Sequence, residues 1–196
     1  MFKVPMPSAP QLDALDRSPS SEIVLSDLYN LIFTDHISLE LQQIQTPETL
    51  TGGYISLKEL GVMNEFQWVV FCSSHLAGGI GNGGVWDGLL GNQPQLVADS
   101  VPLLKLLKLE SIADRFNEVL APVLTLQAAA KQSLQKFETF DIEQYWEDLQ
   151  AAEDQINEEN VELLEQDFLG QYGSSEPTIK SAIEEAAVSF AFSDGS

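Results

Sequence analysis

Seven of the chain's thirteen glycines fall within residues 78–92, in the run Gly78-Gly79-Ile80-Gly81-Asn82-Gly83-Gly84-Val85-Trp86-Asp87-Gly88-Leu89-Leu90-Gly91-Asn92. Glycine loses more backbone freedom on folding than any other residue. Such density therefore implies unusual φ values or backbones packed too closely for side chains. Gly79-x-Gly81-x-x-Gly84 has the form of a dinucleotide-binding fingerprint, but that fingerprint works only inside a strand–turn–helix unit. No second β-like run lies downstream of it, and no Gly-Lys-Ser/Thr occurs, which excludes a P-loop. The expected structure is a helix from about Asn64 to near Leu76, a turn through glycines, and a restart near Val85.

The rest of the chain is patterned for helices. Residues 1–21, with four prolines and several serines, read as an extended arm. Ile23, Val24, Leu28, Leu31 and Ile32 recur at helical spacing, and Leu39, Leu41 and Ile44 continue the pattern to Thr46-Pro47. Ser56 is placed to cap a short segment through Leu60, with Glu59 at the capping-box position. The run 65–72, Glu-Phe-Gln-Trp-Val-Val-Phe-Cys, reads equally as strand or helix. Pro94 and Pro102 both permit helix starts, and a helix is expected over Val97–Leu109. Ser111 is a candidate cap for the run Ile112–Lys136, in which Pro122 predicts a kink or break. Pro177–Phe190 reads as a last helix, and residues 191–196 as a frayed end.

Charge divides the chain unevenly. Residues 138–196 hold sixteen acidic residues against one basic residue, Lys180, for a net −15, whereas residues 1–137 carry −6 of the total −21. Direct nucleic-acid binding and binding to an anionic membrane are disfavoured by repulsion, and a basic partner is favoured. The acidic part is not a random tail. Ile142, Tyr145, Leu149, Ala152 and Ile156 form one apolar stripe, and Val161, Leu164 and Phe168 form the next. Carboxylates stand against these stripes: Glu143, Glu147, Asp148, Asp154, Glu158, Glu159, Glu162 and Glu165. Pairs four apart on a helix rise by ~6 Å, comparable with the spacing of successive phosphates. Glu143/Glu147, Asp154/Glu158 and Glu158/Glu162 fit such rows. A solvated face that keeps the protein soluble is the alternative reading.

Asn82-Gly83-Gly84-Val85-Trp86-Asp87-Gly88-Leu89-Leu90-Gly91-Asn92 resembles the Asn-Gly-Gly-aromatic…Asn signature of a bacterial family of unknown function that includes a dimeric DNA-mimic protein. The Leu-rich turn at Leu103–Ala113 resembles the family's segment on the C-terminal side of that signature, and the likeness spans roughly residues 60–170. Val85 stands where the family usually has an aromatic, with Trp86 beside it, and the turn glycine is replaced near Leu109-Glu110. The resemblance implies a structural role for Asn82, Gly83, Gly84, Trp86 and Asn92. It also implies an acidic surface offered to a basic DNA-binding protein, such as a transcription regulator or histone-like protein, and it raises a homodimer as an expectation. An immunity or antitoxin-type inhibitor of a basic toxin rests on the same electrostatics.

An enzyme acting through Cys72/His75 or through an acid pair is the remaining alternative. Cys72 and His75, three apart, share a helical face, and a Cys–His pair can be nucleophilic; the only other histidine is His36, and no third orienting group is evident. Free cysteine is commonly a buried small hydrophobe. One cysteine and two separated histidines do not make a structural zinc site. Acid pairs such as Glu158-Glu159 or Asp141/Glu143 lack the glycine-turned loop of a calcium site. Trp68, Trp86 and Trp146 are expected on apolar helical faces.

These features predict an all-α single domain of roughly eight helices over 22–190. No catalytic residue, metal or cofactor is expected. With no apolar leader, no membrane span and no possible internal disulfide, a bacterial cytoplasm is the expected location.

Overall fold

The computed structural model of the chain describes residues 21–34, 63–92, 95–135 and 141–173, together with Ala182 and Glu185. Among these residues there are seven α-helices, one π-helical segment and no strand. They are α1 (Ser21–Ile32), α2 (Glu65–Gly83), the π segment Gly84–Gly91, α3 (Gln95–Leu106), α4 (Glu110–Val119), α5 (Ala121–Gln135), α6 (Ile142–Glu153) and α7 (Glu158–Gly173). The expectations for the N-terminal arm over 1–20, for 35–62, for the frayed tail, and for all but Ala182 and Glu185 of the last helix lie outside the described residues.

The ambiguous run 65–72 is helical. Asn64 caps α2: its side chain accepts from the Gln67 N–H at 2.8 Å, and the Gln67 side chain accepts from the Asn64 N–H at 3.0 Å. This reciprocal box satisfies two donors that a helix start would otherwise leave unpaired. Phe66 to Ser73 are all buried. A helix covered on every side shows no amphipathic period, which is why the run imitates a strand. α2 packs against α1, α3, α7 and the π segment, and is the central element of one shared hydrophobic core.

The expected helix end near Leu76 is corrected. α2 runs on through Ala77-Gly78-Gly79-Ile80-Gly81-Asn82-Gly83. Only at Gly84, with φ +66°, does the chain leave the helix, in the left-handed region that a Cβ disfavours. The other glycines serve proximity. A Cβ on Gly88 would lie 2.0 Å from the Gly79 carbonyl oxygen, and one on Gly79 would lie 2.8 Å from the Gly88 oxygen. One on Gly83 would lie 2.8 Å from the Gly88 nitrogen. The π segment thus folds back along α2 with backbone on backbone. Asn92 closes it: both its N–H, at 3.1 Å, and its side-chain amide, at 2.6 Å, donate to the Asp87 carbonyl.

Pro102 lies inside α3 rather than at its start. α3 ends at Leu106 in a turn where Leu109 N–H bonds Leu104 O and Lys108 N–H bonds Lys105 O, with Lys108 at φ +61°. This is the Schellman pattern, with lysine where glycine is usual. Ser111 is not a cap; Leu109 occupies the N-cap of α4, with no side-chain bond. The break predicted by Pro122 is present at Leu120, between α4 and α5. The acidic third folds as its stripes predict: Tyr145, Leu149, Ala152, Ile156, Val161, Leu164 and Phe168 are all buried. α6 packs on α5, and α7 packs on α4, α2 and the π segment. Phe116 and Phe168 meet edge to face at 6.1 Å. Among the described residues, no helix is long and apolar enough to cross a membrane.

Candidate partner-binding surface

Two caps and one break set the acidic surface. Asp141 caps α6, its carboxylate accepting from the Glu143 and Gln144 N–H groups at 3.1 Å. α6 ends at Glu153 with Asp154 as its C-cap, and Asn157 accepts from the Asn160 N–H at 3.0 Å as α7 begins. Residues 141–173 contain eleven acidic residues and no lysine or arginine. With their apolar stripes docked, Glu143, Glu147, Asp148, Asp154, Glu158, Glu159 and Glu162 are all exposed.

Glu165 stands apart from the other seven. Its carboxylate turns inward and accepts from the Val85 N–H at 2.5 Å, beside Gly84. It anchors the start of the π segment to α7. The expected row Asp154/Glu158 is also corrected: the two residues fall on either side of the break between α6 and α7. Glu143/Glu147 and Glu158/Glu162 each share one helix. Asp167, from the same acidic segment, pairs with Arg115 of α4 across the surface.

Asp154 and Glu158 nevertheless meet at one place. A cavity of about 450 Å³ is lined by Trp86, Gln150, Glu153, Asp154, Ile156 and Glu158. Burial, followed by the neighbouring Asp154 charge, raises the Glu153 carboxyl above its ordinary pKa. Sequence reasoning misses Glu153. Its position at the end of the apolar stripe is readable, but its nearness to Trp86, 67 residues earlier in the chain, is not. Trp86 is partly buried against the core, whereas Trp146 is 44 % exposed, contrary to its expected core position. Leu163 and Leu169 of α7 are also exposed among the acids.

The Asn-Gly-Gly motif performs structural work at Gly83, Gly84 and Asn92, through close packing, a left-handed turn and a closing hydrogen bond. Asn82 is exposed at the edge of a second cavity, of about 470 Å³, with Ser74, His75, Asp87 and Asn92 around a glycine floor. His75 Nε2 lies 2.9 Å from the Tyr29 hydroxyl, and its ring packs 4.2 Å from that of Phe71. Burial lowers its pKa to about 4, so the ring is neutral at physiological pH. Cys72 is 1 % exposed, and burial, then the Asp99 charge, push its thiol well above its ordinary pKa. A thiol, rather than the reactive thiolate, is therefore present, with no solvent access. Among the described residues no group of three or more His, Cys, Asp or Glu is arranged to hold a metal ion.

Comparison of the chain with known protein families, with curated proteins and with solved structures finds no match.

Proposed function

We propose that this chain is a non-enzymatic binding protein that offers the α6–α7 surface to a basic, DNA-binding protein, acting as a mimic of the phosphate backbone. One observation carries the reading: the acids of residues 141–173 sit on two helices whose apolar faces are buried, with no lysine or arginine among them. The carboxylates are thus held in place rather than strung along a flexible chain. A fixed negative surface complements the groove of a DNA-binding protein, speeds encounter and suppresses wrong partners. Trp146 and Leu163, exposed among the acids, add apolar contact area that a purely solubilising face does not require; aromatic side chains are enriched at protein interfaces.

The test is competition. A histone-like protein bound to labelled duplex DNA is titrated with this protein. Displacement that weakens steadily as salt is raised is the expected result, because the contact is charge-driven. Failure to displace the basic protein even at low salt would remove the reading.

A further inference from the structure

The cavity between Trp86, the end of α6 and the start of α7 combines features that local helix energetics do not explain. A helix C-terminus carries partial negative charge and favours cations. α6 ends instead in Glu153 with Asp154 as its cap, and no basic residue stands in its last turn. Glu158 adds a third carboxylate from across the break, and the indole of Trp86 forms part of the wall. Glu153 and Asp154, two acids at the wrong end of α6 and one of them partly buried, break a local rule, whereas Glu158 stands in the first turn of α7, where the helix field favours a carboxylate. None of the residues lining the cavity is basic.

Gln150 Nε2 donates to Asp154 Oδ1 at 3.3 Å but carries no charge, so a cation is sought in a partner. Resting on the proposed binding role, we infer that this cavity is the anchor pocket for an arginine side chain of the basic partner. Its volume of about 450 Å³ is ample for a guanidinium group and the methylenes behind it. Guanidinium is planar, forms paired hydrogen bonds with carboxylates, and stacks on aromatic rings. Glu153, Asp154 and Glu158 supply the acceptors, Trp86 the ring, and Ile156 an apolar surface for the stem. Lysine offers a compact, strongly hydrated charge and uses less of this wall. The pocket also explains why an acidic surface would select among basic partners: the charge attracts all of them, whereas the pocket prefers arginine-bearing ones.

The experiment uses three hexapeptides, of arginine, lysine and citrulline, titrated into the intact chain labelled with ¹⁵N. The three tryptophan indole N–H signals are followed, with that of Trp86 assigned from Trp86→Phe. Hexa-arginine is expected to move the Trp86 signal and to bind several-fold more tightly than hexalysine. The neutral citrulline peptide should leave the signal in place. Glu153→Gln combined with Glu158→Gln should weaken hexa-arginine about tenfold, whereas Glu143→Gln with Glu147→Gln, which removes the same charge elsewhere, should weaken it far less. Gln150→Lys, an exposed substitution that puts an ammonium in the pocket wall in place of the amide that donates to Asp154, should weaken it without removing any acid. Circular dichroism confirms that each variant is folded. Equal losses in the two double variants, or equal affinity for arginine and lysine peptides, would overturn the pocket while leaving the acidic-surface reading intact. Absence of binding by either cationic peptide would overturn both.

Discussion

Gly88 and Lys108 illustrate opposite uses of backbone conformation at single residues. At Gly88 the requirement is space, since a Cβ would lie 2.0 Å from the Gly79 carbonyl oxygen. Gly88→Ala is therefore expected to destabilise the protein by about 3 kcal/mol, through forced separation of α2 and the π segment. Gly81 is the control: it is helical, exposed, and has nothing within 4 Å of a Cβ. Gly81→Ala should stabilise by roughly 0.5–1 kcal/mol. Urea denaturation of both variants distinguishes glycines that permit contact from glycines that merely loosen a helix. His75 sets a pH dependence. Its pKa is about 4 in the folded protein against an ordinary value of 6.5. Below the higher value the unfolded chain binds the extra proton, so this contribution is complete above pH 6.5 and is lost as pH falls through about 4. The full loss is about 3 kcal/mol. His75→Gln should therefore show a smaller fall in stability between pH 7 and pH 4 than the parent chain, measured by denaturation at each pH.

At the scale of elements, legibility tracks exposure. α6 and α7 are readable because each has one buried and one solvated face, so Tyr145, Leu149, Leu164 and Phe168 keep helical period against the acids. The first half of α2 is not, because Phe66 to Ser73 are buried on every side, Gln67 included. The glycine stretch defeats sequence reading for a different reason. Sequence shows that side chains are missing but not whether the gap serves a turn or a crossing, and Gly79, Gly83 and Gly88 serve a crossing. The Glu165–Val85 bond and the Trp86 cavity are invisible in sequence because they join residues far apart along the chain. The end of α3 gives a test at this scale. Lys108 holds the left-handed position of its Schellman turn, where L side chains are strained by about 1–2 kcal/mol. Lys108→Gly should raise stability by about 0.5–1 kcal/mol after the added chain entropy is counted. A thermal melt that moves down instead would show that the exposed lysine is held there by a compensating interaction.

For the whole molecule, the shared core that joins α1 through α7 fixes the acidic helices relative to the rest of the chain. This separates the protein from a flexible polyanion, and it makes position, rather than total charge, the central claim. The most direct measurement compares two quadruple charge reversals in the DNA-displacement assay. One replaces Glu143, Glu147, Asp154 and Glu158 with lysine; the other replaces Asp27, Glu110, Asp114 and Glu118, which are exposed on other helices. Both change net charge equally, and exposed substitutions of this kind each shift stability by no more than ~0.5 kcal/mol. The first variant is predicted to lose displacement of the basic protein from DNA almost entirely, through slower association and repulsion at contact, while the second retains most of it. Equal loss in the two variants would contradict the account, because it would show that only the sum of charges acts.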